Sequence, residues 1–165
     1  MERTALIYYS LNGHTEFLAK KMSEQLDCPT IQLKLQKEFS QTNKFLQYFW
    51  AGKSSSFHEK PPLANKKIDL SLYDTLIIAT PVWAEGLSSP IRSFLSTYAI
   101  EDKKVYLVAN DSGGPFKKCF SSMRKLLPDS KVLNEIGFVQ VTKDTYPTHK
   151  EKLESFCTEI LAGIE

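Results

Sequence analysis

Residues 4–9 (Thr-Ala-Leu-Ile-Tyr-Tyr) form a compact apolar run of strand formers that stops at Ser10-Leu11-Asn12-Gly13-His14-Thr15. A helical pattern follows at once, with Leu18, Met22 and Leu26 on one face. This junction constrains the fold more than any other feature of the chain. A buried strand that passes through small polar residues into a helix N-terminus gathers outward-pointing N–H groups, hydroxyl donors and the positive end of a helix dipole in one place. The ligand such a turn suits is a phosphate group. Without further loops beside it, the same residues would also be explained by Ser10 and Thr15 capping the helix.

The strand-then-helix rhythm recurs. Residues 30–35 alternate Ile31, Leu33 and Leu35 with polar neighbours, 74–80 and 104–109 are short apolar runs, and 138–141 closes the set. Runs without strict alternation fit strands covered on both faces, as in parallel sheets. Between them, Ser89 reads as an N-cap with Pro90 at the first helical position, followed by Ile91, Phe94, Leu95 and Tyr98 at helical spacing. Residues 116–127 carry Phe120, Met123 and Leu127 on one stripe, and Thr148-His149-Lys150-Glu151 reads as a capping box opening a helix with Leu153, Phe156, Cys157 and Ile160 inward. The alternation predicts a doubly wound α/β sheet with right-handed crossovers, formed by one domain over 1–165. Residues 39–63 break the rhythm with an aromatic cluster (Phe45, Tyr48, Phe49, Trp50), then Gly52-Lys53-Ser54-Ser55-Ser56, then Pro61-Pro62. They are expected to form a partly helical crossover with a long loop, Phe49 and Trp50 packing within it.

Bulk properties narrow the function classes. With 165 residues, 42% of them hydrophobic, the chain can bury one core. No stretch approaches the roughly 18 apolar residues of a membrane span, and the first apolar run is too short for a secretory signal. Cys28, Cys119 and Cys157 are odd in number and widely spaced, which suits buried thiols in a reducing cytoplasm. His14, His58 and His149 are scattered without metal-ligand spacing. A net charge of +2 gives no reason to expect nucleic acid. The charge is uneven, however: between Lys34 and Lys67 stand seven lysines against Glu38 and Glu59, either a solvated face or a docking surface for an acidic partner.

In open α/β sheets ligands bind beyond the carboxyl ends of the strands, and three of those ends carry distinctive loops here. They are Ser10–Thr15, then Thr80-Pro81-Val82-Trp83-Ala84-Glu85-Gly86, then Asn110-Asp111-Ser112-Gly113-Gly114-Pro115. Four of the seven glycines (Gly13, Gly86, Gly113, Gly114) fall in these loops, a concentration that points to one site. Competing phosphate motifs fail: Gly52-Lys53-Ser54 resembles the end of a P-loop, but Gln47 stands where the first glycine is needed.

Ser-x-Asn-Gly-x-Thr, Thr-Pro-Val-Trp and Ser-Gly-Gly, in that order over nearly the whole chain, resemble the flavodoxins, and more closely the short-chain flavodoxin-like proteins with a Ser-Gly-Gly third loop. The resemblance implies a three-layer sandwich around a five-stranded parallel sheet in the order 2-1-3-4-5, which binds flavin mononucleotide (FMN) and carries electrons between cytoplasmic partners. It implies that Ser10, Asn12, Gly13, His14 and Thr15, with the N–H of Leu11, wrap the phosphate. Thr80, Pro81, Val82, Trp83 and Ala84 would flank the isoalloxazine with Trp83 stacked on one face. Asn110, Asp111, Ser112, Gly113 and Gly114 would close the pyrimidine side. Two features depart from the family. The third loop has no tyrosine to cover the outer flavin face, Phe116 being the nearest aromatic, and the chain is mildly basic rather than acidic. Both leave room for an alternative, an FMN enzyme reducing quinones or nitro groups with NAD(P)H, and a flavin-free binding module is a third reading.

Overall fold

The computed structural model describes residues 3–40 and 42–164. Six strands and five helices alternate along them: β1 (Thr4–Tyr8), α1 (His14–Leu26), β2 (Thr30–Gln32), α2 (Lys44–Ser56), β3 (Thr75–Trp83), β4 (Gly86–Leu87), α3 (Ser89–Thr97), β5 (Lys104–Asp111), α4 (Lys117–Lys125), β6 (Lys131–Val139) and α5 (Tyr146–Ile164). A 3-10 turn at Leu70–Leu72 leads into β3.

The sheet runs β2-β1-β3-β5-β6 with every pair parallel. That is the expected five-strand order once β4 is set aside: two residues that fold back antiparallel on the end of β3. The direction of winding switches between β1 and β3, which is where a doubly wound sheet opens a crevice. Successive residues of the central strands point to opposite faces. On one face Ala5, Ile7, Tyr9, Leu76, Ile78, Val105 and Leu107 pack with Ile91, Phe94 and Met123. On the other, Leu6, Tyr8, Ile77, Ala79, Tyr106 and Val108 pack with Leu18, Met22, Leu153, Phe156 and Ile160. Double coverage is why these strands read as unbroken apolar runs.

β6 differs from expectation. It begins at Lys131, well before residue 138, and is only half-buried because it is a sheet edge. One extra residue is inserted where its register with β5 steps from Val105↔Val132 to Tyr106↔Asn134. Leu133 is the extra residue, and Asn134 beside it is paired with Tyr106, its Nδ2 donating to Glu159 and its Oδ1 accepting from the Glu135 N–H at 2.7 Å.

Helix starts also shift. Ser88, not Ser89, is the N-cap of α3, so Pro90 sits one position further into the first turn. α5 starts at Tyr146, and Thr148 lies inside its first turn with Oγ1 donating to the Thr145 carbonyl, so the capping box is not formed. The crossover is partly helical: α2 runs through Gly52–Ser56, and Ala51, Ser54 and Ser55 are the residues that it buries. Phe49 and Trp50 pack on each other, ring centres 5.5 Å apart, and not into the core: they are 54% and 46% exposed.

Candidate functional site

The loops after β1, β3, β5 and β6, together with α2, enclose a cleft of about 650 Å³, within the range of small-molecule sites. Of the expected residues, Leu11, Asn12, His14, Thr15, Pro81, Val82, Trp83, Ala84, Asn110, Asp111 and Ser112 line it. Tyr48, Gly52, Gln140, Thr142, Asp144 and Thr145 line it too, and no motif announced them.

The first loop is held by its own side chains. Ser10 Oγ accepts from the Gly13 N–H at 3.0 Å and Asn12 Oδ1 from the His14 N–H at 3.2 Å. Gly13 caps α1 at φ 92°, a left-handed conformation, and a Cβ there would meet nothing within 4 Å; backbone conformation alone selects glycine. The next donors, the N–H groups of Thr15 and Glu16, have no partner among the described residues. Thr15 is buried, and its hydroxyl likewise makes no hydrogen bond among them while lining the cleft. Ser10 and Gly13 therefore brace the loop from behind, and the free donors are those of Thr15 and the first helical turn.

The second loop is a hairpin. Trp83 pairs with Gly86 across a two-residue turn in which Ala84 (φ 48°) and Glu85 (φ 61°) are both left-handed, the geometry that twisted hairpins require and non-glycine residues adopt at a cost. Its carbonyls are held from α2: Ser55 Oγ lies within hydrogen-bond distance of the oxygens of Trp83 and Leu87. Thr80 does not reach the cleft; fully buried, it donates to the Pro81 carbonyl and shares a 2.8 Å contact with Ser88 Oγ. Trp83 is 6% exposed. Tyr9 and Phe39 stand edge-on to its ring, with centroids 5.6 and 5.4 Å away, which places it in the wall of the cleft as part of the core. Behind it the Tyr9 hydroxyl donates to Glu38 Oε2, and burial holds that phenol far above its ordinary value. The aromatic that stands free at the rim is Tyr48, half exposed, whose hydroxyl accepts from Asn12 Nδ2 at 2.9 Å.

The third and fourth loops support each other. Asp111 Oδ2 accepts from the Gly114 N–H, Asn110 Oδ1 from the Val141 N–H, and Gln140 Nε2 donates to the Ser112 carbonyl. Thr145 Oγ1 donates to the Gln140 carbonyl, folding 140–145 into a self-bonded turn at the cleft edge. Gly113 and Gly114 lie outside the lining. Phe116 turns away from the cleft and lies flat on β6, where a Cβ at Gly137 would come within 2.2 Å of its ring. His14 is the lone lining residue able to carry positive charge, set against Asp111 and Asp144. No His, Cys, Asp and Glu cluster among the described residues could hold a metal ion, and no helix among them is long and apolar enough to cross a membrane.

A parallel sheet in this order, with its cleft over the β1/β3 switch and a helix N-terminus at one end, defines an α/β protein of the flavodoxin-like class. The flavodoxin family matches residues 3–146, and the chain belongs to that family. A flavoprotein of Lactobacillus acidophilus NCFM, solved in complex with FMN, is 21% identical with a TM-score of 0.69, covering 93% of this chain and 99% of its own. A protein of Bacteroides uniformis ATCC 8492, provisionally assigned as a flavoprotein, gives a TM-score of 0.78 at 18% identity over 95% of this chain and 98% of its own. The flavodoxin of Streptococcus pneumoniae TIGR4 aligns over 98% of this chain and 99% of its own at 14% identity and TM-score 0.55. No curated protein sequence matches the chain.

Proposed function

We propose that the cleft binds FMN non-covalently and that the protein carries electrons between cytoplasmic redox partners. The carrying observation is the phosphate end of the cleft: two backbone N–H groups and the Thr15 hydroxyl, none of them with a partner among the described residues, meet at a helix N-terminus, with no lysine or arginine in the lining. Donors left free at a helix N-terminus are available to a ligand, and the helix dipole there favours an anion. The FMN complex of the Lactobacillus acidophilus relative supports the same ligand.

FMN, when bound, supplies the redox chemistry. The chain's contribution is placement and field. Thr15 and the first turn of α1 would hold the phosphate, while Val82, Trp83 and Ala84 form the apolar wall and Asn110, Asp111 and Ser112 the polar one. Asp111 and Asp144 line the cleft without a compensating lysine or arginine, so added negative charge near them is disfavoured. That pushes a bound redox group towards a low potential. The cleft is covered by no third-loop aromatic, since Phe116 packs on β6. This supports the second reading, a reductase that admits a small quinone or nitro acceptor to the open side.

An absorbance spectrum of the purified protein, followed by FMN titration of the stripped form, tests the proposal. Flavin bands and FMN-selective binding that weakens about tenfold or more in Thr15→Val, with unchanged thermal stability, are expected from the loss of a hydrogen bond to a charged group. A colourless protein that takes up no FMN would refute it. Steady oxidation of NAD(P)H with a quinone would move the assignment from carrier to reductase.

A further inference from the structure

Helix α2 is built inside out. It turns Ala51, Ser54 and Ser55 into the fold, while Phe45, Leu46, Phe49, Trp50 and, just past its end, Phe57 are 77%, 41%, 54%, 46% and 71% exposed. At 3.6 residues per turn, Phe45, Leu46, Phe49 and Trp50 share an outward arc of about 140°, which Phe57 continues. With about 200 Å² for each aromatic, the patch exposes on the order of 500–600 Å², the upper end for a protein that works alone. Lys53 rises through the middle of it, Nζ 4.7 Å from the Trp50 ring centre and 5.9 Å from that of Phe57.

The charge within the helix is of one sign; the exposed carboxylates Glu59, just past Phe57, and Glu85, on the neighbouring hairpin, lie at its borders. No carboxylate occurs from residue 39 to residue 58, and the nearest acid before it, Glu38, is turned inward onto Tyr9 and the Leu35 N–H. The cations are all lysines; the arginines Arg3, Arg92 and Arg124 lie outside the segment. Protein interfaces are enriched in arginine and depleted in lysine, and a second copy would bring like charge to like charge. An exposed helix with aromatics on its outer face, the flexible-stemmed Lys53 among them and Lys44 exposed at its start is the chemistry of an anionic bilayer surface, where rings sit at the headgroup boundary and ammonium groups reach the acidic headgroups. We propose that α2 docks the protein on anionic lipid, Phe45, Phe49 and Trp50 entering the interface and Lys44 and Lys53 pairing with headgroups. The docking is independent of what the cleft holds, since Tyr48 and Gly52 line the cleft from the adjoining face of the same helix.

Flotation of the full chain with phosphatidylcholine vesicles, alone or mixed with phosphatidylglycerol, tests this. Binding is expected only to the mixed vesicles and is released by salt. The chain has two tryptophans, and Trp83 is buried, so a blue shift of emission on binding reports Trp50. Phe45→Gln with Phe49→Gln, and separately Lys44→Gln with Lys53→Gln, should each lower partitioning at least about tenfold. Both pairs replace exposed side chains, so an unchanged melting temperature shows that the fold is intact. No flotation, or flotation insensitive to both pairs, overturns the proposal. A concentration-dependent dimer without lipid binding assigns the face to a second copy, and binding to soluble poly-glutamate that equals binding to vesicles assigns it to an acidic protein; either also overturns it.

Discussion

The hydroxyl of Ser55 lies 2.9 Å from the carbonyl oxygen of Trp83 and 2.8 Å from that of Leu87, so one side chain from α2 clasps both strands of the β3–β4 hairpin. The fit is close, since a Cβ on Gly86 would stand 3.0 Å from the same oxygen. Ser55→Ala leaves two buried carbonyls sharing no donor and should cost about 1–3 kcal/mol. Urea unfolding measures it, and a midpoint equal to that of the parent would show that the hairpin holds itself.

Trp83 and Tyr48 separate stability from binding. Trp83 is walled in by Tyr9 and Phe39, so Trp83→Ala should lower stability by about 3–5 kcal/mol, as large aromatic truncations do. Tyr48 is half exposed at the rim, so Tyr48→Ser should leave the melting temperature unchanged and weaken FMN binding. The reverse pattern, a stable Trp83→Ala that loses FMN, would return Trp83 to the role of stacking platform.

Gly13 is constrained by φ and not by space. Residues at this position should therefore rank by their tolerance of left-handed backbone: glycine, then asparagine, then alanine, then valine. Gly13→Ala is expected to cost about 1 kcal/mol and Gly13→Asn less. Thermal melts of the series would reveal a steric constraint if the order followed side-chain volume instead.

The thiols predict a loss of stability in alkali. Burial pushes Cys28 up to about 11 and Cys119 and Cys157 up to about 12 from 9.0. Folding thus tightens the hold on each proton, and the unfolded chain ionises first. The stabilisation is complete below pH 9.0 and disappears as pH rises through 11 to 12. Replacing all three by alanine should flatten that limb of the melting temperature, though not abolish it, because Tyr8 and Tyr9 are raised in the same direction. At neutral pH the protonated, buried thiols should resist iodoacetamide until the chain unfolds.

Sequence patterns carried the central strands, α1 and the three motif loops because each is a local decision: doubly covered strands must be apolar, and small polar residues must join them to helices. Tyr48 and the 140–145 turn were illegible because they reach the cleft through tertiary placement and belong to no phosphate or ring motif. β4 is too short to show a period. The early start of β6 was hidden because an edge strand is half-buried and its bulge breaks the alternation at Leu133 and Asn134. Trp83 lines the cleft as its place at a strand end suggests, but its burial against Tyr9 and Phe39, distant in sequence, was not legible from the motif.

The bulge in β6 has a bearing on how copies of the molecule avoid one another. A nine-residue edge strand is long enough to template addition of another chain. The inserted residue throws the two halves of β6 out of common register, and Asn134 ties the step to Glu159 on α5. An incoming strand could follow one half only, and would meet Lys131 or Glu135 as it did so. The irregularity thus guards this long open edge against runaway strand addition, and a variant that restored regular pairing there would be expected to gain order locally and lose solubility.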